Sequence, residues 1–259
     1  MGPASGERER DHGTQCILAA MARARPPRAI FFDAGNTLIR MDYAAIAAAL
    51  AHHGVRVTPG DLERAEWRAR VRLDTEVLSP LGLAASTENR SVADLYLAYL
   101  LEQAGVTDEA VVSAIAEWRR TYRTPVGLWT VVEPAAEAAL AHVHDAGVPA
   151  AVISNSNGSV RSILDSLGLT RYLDFVIDSG EVGVEKPDPR IFRIAAERAG
   201  VAPDEAVYIG DFYSVDVRGA RAAGLDAILL DPGACWGERD CRAARDVLAA
   251  VHLILQLPV

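Results

Sequence analysis

Short apolar, β-branched runs recur along the chain, at residues 29–32, 149–153, 175–177, 206–209 and 226–230. Each is followed by a turn and then by a helical pattern. Strands buried on both faces read as continuous apolar runs, and strands that alternate with helices form βαβ units. The pattern predicts an α/β fold: a three-layer, Rossmann-like parallel sheet with helices on both faces. The long stretch between the first and second runs carries almost no strand signal. It reads as helices over 43–53, 59–77, 91–104 and 108–122. Gly54 and Gly105 stop the first and third. Thr58 opens the second, with Pro59 at its first position and Asp61 at its third, and Thr107 caps the fourth. A further helix over 134–146 ends at Gly147, directly before the second strand, and so belongs to the core. The chain divides into a loose extension (1–27), a catalytic core (28–41 and 130–259) and an inserted all-helical module (42–129).

Composition narrows the class of function. Half of the 259 residues are hydrophobic, which suffices for a sizeable core. The net charge of -9 comes with no dense Lys/Arg stripe, so neither nucleic acid nor an anionic membrane surface is the expected partner. A small molecule is. No run approaches the ~18 to 20 apolar residues of a spanning helix. The apolar patch at 16–21 is too short for a secretory signal, and Met21 offers a second start. Cys16, Cys235 and Cys241 form neither a disulfide framework nor a metal motif, which fits reduced thiols in a cytoplasmic protein.

In an open parallel sheet, ligands bind outside the carboxyl ends of the strands. Polar residues stand there four times: Asp33-Ala34-Gly35-Asn36-Thr37-Leu38, Ser154-Asn155-Ser156-Asn157-Gly158, Gly183-Val184-Glu185-Lys186-Pro187, and Gly210-Asp211-Phe212-Tyr213-Ser214-Val215-Asp216. Carboxylates from two strand ends, a lysine and a hydroxyl together suit Mg²⁺ and a phosphate, since hard oxygen ligands hold this ion. Lysine and metal let a carboxylate approach a dianionic phosphate, and Asp33 then forms an aspartyl-phosphate. Other conspicuous residues read as structural. His52 and His53 point to different faces of one helix. Trp67, Trp118 and Trp129 pack, and Arg64, Arg68 and Arg72 form a solvated stripe from which one member could meet an anionic substrate.

The four motifs, in this order, resemble those of the haloacid dehalogenase-like hydrolase superfamily, over residues 29–230. The resemblance implies Asp33 as nucleophile and metal ligand, with the Gly35 carbonyl as a second ligand and Thr37 orienting the loop. It implies that Ser154 and the Asn155 amide hold the phosphoryl group and that Lys186 neutralises it. Asp211 matches the acidic metal ligand and Asp216 its partner, direct or through water. The helical insertion resembles the cap of subfamily I, which carries specificity. The implied function is a Mg²⁺-dependent phosphatase acting on a small phosphorylated metabolite.

One position departs from the pattern. Family phosphatases carry an aspartate two residues after the nucleophile, as general acid, and here that residue is Gly35. A glycine has no proton to give, and such an acid contributes ~10² to 10⁴-fold. Three accounts follow. The first is a phosphatase with a good leaving group, or one that borrows an acid from the cap or the substrate. The second is dehalogenase or phosphonatase chemistry, opposed by Asp211 where dehalogenases carry serine and by the absence of any Lys between Met41 and Thr130. The third is a silent relative that binds a phosphorylated ligand or a protein.

Overall fold

The computed structural model of the chain describes residues 26–257 apart from Pro125. The extension assigned to the first 27 residues therefore falls outside the described residues save for Pro26 and Pro27, as do Met21 and Cys16.

The strands are β1 (Ala29–Phe32), β2 (Ile39–Met41), β3 (Trp129–Val132), β4 (Ala150–Ser154), β5 (Phe175–Asp178), β6 (Ala206–Gly210), β7 (Asp226–Leu230) and β8 (Arg242–Ala244). Six of them form one sheet in the order β5-β4-β1-β6-β7-β8, and every pairing is parallel. Side chains along a strand alternate between faces. Accordingly Ile30 and Phe32 of β1 join one apolar cluster, while Ala29 and Phe31 join the other. Both faces are covered by helices, which is why the central strands β1, β4 and β6 are buried along their whole length.

The helices are α1 (Tyr43–His52), α2 (Pro59–Leu73), α3 (Arg90–Gln103), α4 (Glu109–Thr121), α5 (Ala136–Asp145), α6 (Val160–Ser166), α7 (Pro189–Ala199), α8 (Arg218–Ala223) and α9 (Val247–Leu255). α5, α6 and α9 bury Leu140, Leu164 and Val251 on one face of the sheet. α7 and α8 bury Phe192 and Ala220 on the other. The result is the expected three-layer, Rossmann-like core.

The segment carrying α1 to α4 leaves through β2 and returns through β3, an antiparallel pair with Ile39 opposite Val132. It packs around its own apolar cluster, including Ile46, Leu62, Leu97 and Ile115. Two core residues, Phe212 and Val215, enter that cluster from the loop after β6. The insertion and the fourth strand-end motif are thus packed as one body of side chains.

Several local expectations change. The β2–β3 pair leaves no mark in the apolar pattern because strands of 3 and 4 residues are too short to show a period. β8 escaped because Arg-Ala-Ala has no β-forming side chain and only edge pairing holds it. The fourth inserted helix is capped by Asp108 and not Thr107: the Asp108 carboxylate accepts from the amides of Ala110 at 2.9 Å and Val111 at 3.3 Å. The helix expected over 59–77 stays α-helical only to Leu73 and widens into a π-helical turn at Asp74–Leu78. Its opening matches the reading, with Thr58 and Asp61 forming a reciprocal capping box.

Candidate active site

Asp33 follows the last residue of β1, between the ends of β4 and β6, and its amide donates to Ile209 at 2.8 Å. Ser154 ends β4 and Gly210 ends β6. Parallel pairing in register thus lines up three strand ends on one crevice. A Cβ on Gly210 would stand 2.5 Å from the Asp216 carboxyl carbon, so glycine is required there for Asp216 to fold back under the loop. The amides of Asp211 and Phe212 donate to Asp216 Oδ2 at 3.0 and 2.9 Å.

Lys186 is the single lysine of the sequence. It is 3% exposed, and its Nζ donates to Asp33 at 2.6 Å, Asp216 at 2.8 Å and the Tyr208 hydroxyl at 2.8 Å. An ammonium offers three donors from one point, whereas a planar guanidinium serves acceptors side by side. Asn155 fixes the lysine backbone from both sides: its Oδ1 accepts from the Lys186 amide at 2.7 Å and its Nδ2 donates to the Lys186 carbonyl at 2.9 Å. Burial pulls the Lys186 ammonium down, but Asp216 and Asp33 overcome it and hold the pKa above its ordinary range. Ser154 is buried, with its hydroxyl 3.2 Å from the Asn155 carbonyl. Thr37 is fully buried, and its hydroxyl meets no partner among the described residues.

The insertion reaches the same place. On α2, Glu66 and Arg70 are both buried and pair at 2.9 and 2.5 Å. Arg70 Nη1 lies 3.3 Å from Asp211 Oδ2. Asn36 Nδ2 bridges Glu66 at 3.2 Å, Tyr96 at 3.2 Å and Asp211 at 3.0 Å, and the Tyr96 hydroxyl donates to Glu66. Asp74, in the π-helical turn, accepts from the Ser214 amide at 3.0 Å and from its hydroxyl. None of Glu66, Arg70, Tyr96, Asn36, Asp74 or Tyr208 was marked from the sequence. A signal existed: Glu66, Arg70 and Asp74 recur every fourth residue among Leu62, Ala65, Ala69 and Leu73, so charge sits on the apolar face. Arg64, Arg68 and Arg72 lie on the other face and pair with Asp61, Gln103, Glu76 and Glu102. They form the solvated stripe expected of them. His52 and His53 are exposed.

Asp33, Asp211 and Asp216 each present a carboxylate oxygen within 4.8 Å of the others. Four buried carboxylates, these three and Glu66, face two buried cations, Lys186 and Arg70, a deficit of two positive charges. Burial raises the Asp33 pKa; Lys186 opposes the rise and Asp216 adds to it. Burial likewise lifts Asp211 well above the carboxylate range, opposed by Arg70 and reinforced by Asp33 and Asp216. Asp211 Oδ1 is buried and has no hydrogen-bond partner among the described residues. All-oxygen donors, a shortfall of two charges and an orphaned carboxylate oxygen fit a hard divalent cation.

These groups open on a cavity of about 390 Å³, lined also by Ser154, Asn155 and Lys186 and walled by Tyr96, Leu97, Leu128, Trp129 and Phe212. Gly35 lies on it too, with a φ that is not positive, so backbone strain does not dictate glycine. Its neighbour is the Trp129 ring: a Cβ on Gly35 would stand 3.3 Å from it, close enough that the ring would have to give by a few tenths of an ångström. Trp129, expected only to pack, lines the same cavity as Asp33. Cys235 and Cys241 are free thiols away from this cavity. Among the described residues, no helix is long and apolar enough to cross a membrane.

The sequence profile described as haloacid dehalogenase-like hydrolase matches residues 27–224. The mouse haloacid dehalogenase-like hydrolase domain-containing protein 3 is 32% identical over 243 residues, covering 92% of this chain and 93% of its own. A phosphoserine phosphatase of Thermus thermophilus is 41% identical over 135 residues, 52% of each chain. Among solved structures, the HAD-hydrolase YfnB of Bacillus subtilis superposes with a TM-score of 0.59 at 18% identity, over 89% of this chain and all of its own. The strand-end motifs, the six-stranded sheet that aligns them and these matches have one reading: the chain belongs to the haloacid dehalogenase-like hydrolase family.

Proposed function

We propose that this hydrolase is a Mg²⁺-dependent phosphatase that acts on a small phosphorylated metabolite through an aspartyl-phosphate on Asp33. The observation that carries the reading is Lys186, whose one nitrogen joins Asp33 and Asp216 beside the orphaned oxygen of Asp211. In this reading the Asp33 carboxylate attacks phosphorus, and Lys186 keeps that carboxylate ionised and aimed. Ser154 and the Asn155 amide hold the phosphoryl oxygens. Asp33, the Gly35 carbonyl and Asp211 hold the cation, with Asp216 bracing the loop or joining directly. When bound, Mg²⁺ offsets the charge of phosphate and nucleophile. The insertion, residues 42–129, acts as a cap: Glu66, Arg70 and Asp74 seat it on the metal-site loop, and its apolar wall meets the leaving group. The relatives with phosphatase names support the phosphoryl substrate class.

The test is a screen of phosphate esters, acyl phosphates and anhydrides with Mg²⁺ and with EDTA. Turnover is expected with the metal alone, to vanish on chelation and to return with excess Mg²⁺. Activity indifferent to EDTA would contradict the metal assignment. Calorimetric titration adds an independent readout: Asp211→Asn is expected to weaken Mg²⁺ binding by at least about 10-fold, since even groups behind the ligands are worth that much.

A further inference from the structure

The family's usual proton donor stands two residues after the nucleophile, and in this chain that residue is Gly35. The Trp129 ring would lie 3.3 Å from a Cβ at Gly35, so an indole and not an acid stands beside this position. Alkoxide loss still demands a proton. The cavity therefore has to be searched for another donor.

Four carboxyl groups line it among the described residues: Asp33, Glu88, Asp211 and Asp216. Asp33 is the attacking group. Asp216 accepts from Lys186, Tyr208 and two amides, and Asp211 accepts from Asn36 and ion-pairs with Arg70. Glu88 makes no hydrogen bond or ion pair with the described residues. It is nevertheless firmly mounted, on the strap before α3. On one side the Thr87 hydroxyl accepts from Asn155 at 3.2 Å, and Asn155 is the residue that clamps Lys186. On the other, Asn89 caps α3 by accepting from the Ser91 amide at 2.9 Å. The strap is thus tied to the phosphate side of the cavity by the residue before Glu88 and to the insertion by the residue after it.

Resting on the phosphatase reading, we infer that Glu88 is the general acid and base of this enzyme, carried by the insertion in place of the missing aspartate. As Asp33 bonds to phosphorus, the bond from phosphorus to the leaving oxygen breaks. That oxygen keeps the electron pair and takes the Glu88 proton. In the second half a water oxygen bonds to phosphorus, its proton passes to the Glu88 carboxylate, and the Asp33–phosphorus bond breaks with the pair returning to Asp33. Inorganic phosphate leaves and both residues are restored.

The surroundings suit both duties. Glu88 reaches solvent at the rim, yet its partial withdrawal from water and the charges of Glu185, Asp178 and Asp33 together push it up to about 7, against the opposing Arg119 of α4. A donor with such a pKa gives and recovers a proton at neutral pH. The substrate class widens accordingly, from activated phosphates to alkyl phosphate monoesters with basic leaving groups.

The experiment compares wild type and Glu88→Gln, as full chains with Mg²⁺, on acetyl phosphate, aryl phosphates and glycerol phosphate. Glu88 is exposed at the rim, so the variant should keep its fold, and an unchanged Tm checks that. Wild type should show kcat/KM that depends weakly on leaving-group pKa and falls on the alkaline side of about 7. In Glu88→Gln the alkyl ester rate is expected to drop about 10² to 10⁴-fold. For acetyl phosphate kcat/KM, which reports only the first half-reaction, should change little, while the shared hydrolysis of the aspartyl-phosphate slows for every substrate; the alkaline limb of kcat/KM should disappear. An equal loss of kcat/KM on every substrate would make Glu88 a mere structural support, and unchanged alkyl kcat/KM would remove its role; either overturns the inference while leaving the phosphatase reading intact. Failure of wild type on all of these phosphates would overturn both.

Discussion

Asp33→Asn is expected to abolish turnover of every substrate, by at least about 10⁴-fold in kcat, while leaving the fold intact. Removing a covalent nucleophile costs far more than removing a binding contact, because the remaining groups have no bond to assist. The structure makes this variant unusually clean. Asparagine keeps the shape, and its oxygen still accepts from Lys186, which retains Asp216 and Tyr208 as partners. Stability should not fall. The folded-state pKa of Asp33 is raised, chiefly by burial. A raised carboxylate holds its proton more tightly in the native state, so it favours folding at low pH. That contribution is lost as pH climbs from the unfolded value, about 3.9, through the native one. Asparagine carries no charge for burial to oppose, so the variant loses nothing on this account. The metal-free variant should melt at or above the wild-type Tm. A thermal melt paired with a burst assay for phosphate release checks both halves. Near-wild-type turnover would end the nucleophile assignment, and a large fall in Tm would mean that Asp33 supports the fold.

The sequence made the core legible because strand ends are where an α/β sheet must put its chemistry. Five apolar runs placed the strand-end motifs, and β1 and β7 begin and end where those runs do. The inserted helices were legible from stop glycines and from the Thr58 cap. What escaped was held by tertiary contact rather than by local pattern. Tyr208 resembles any aromatic in a buried strand until Lys186 reaches its hydroxyl. Trp129 resembles a linker residue until β2 and β3 pair and bring its ring over Gly35. The crowding at that glycine comes from an indole 94 positions away. Asn36 sat inside a motif already singled out, yet its contacts to Glu66, Tyr96 and Asp211 depend on how the insertion docks. Periodicity does not carry that information.

Docking also decides the second large effect, which concerns stability. Two arginines on α2 look equivalent in sequence, Arg70 and Arg72, and each has an acidic partner four residues away. Their surroundings separate them. Arg72 is half-buried at most, pairs with exposed Glu76 and Glu102, and stacks on Tyr99. Water screens exposed pairs, so Arg72→Met should change stability little. Arg70 is 3% exposed and faces two buried carboxylates, Glu66 and Asp211. Arg70→Met would leave the Glu66 charge stranded in the interior and Asp211 without its cation, and breaking a buried pair this way costs about 3 to 5 kcal/mol. The double variant Glu66→Gln with Arg70→Met removes the stranded charge and should recover part of the loss. A double-mutant cycle read from urea unfolding measures that coupling, since the two side chains touch and their effects are not additive. Equal losses for Arg70→Met and Arg72→Met would show that the Glu66–Arg70 pair is solvated, and with it would go the idea that the insertion is seated on the metal site through this buried charge.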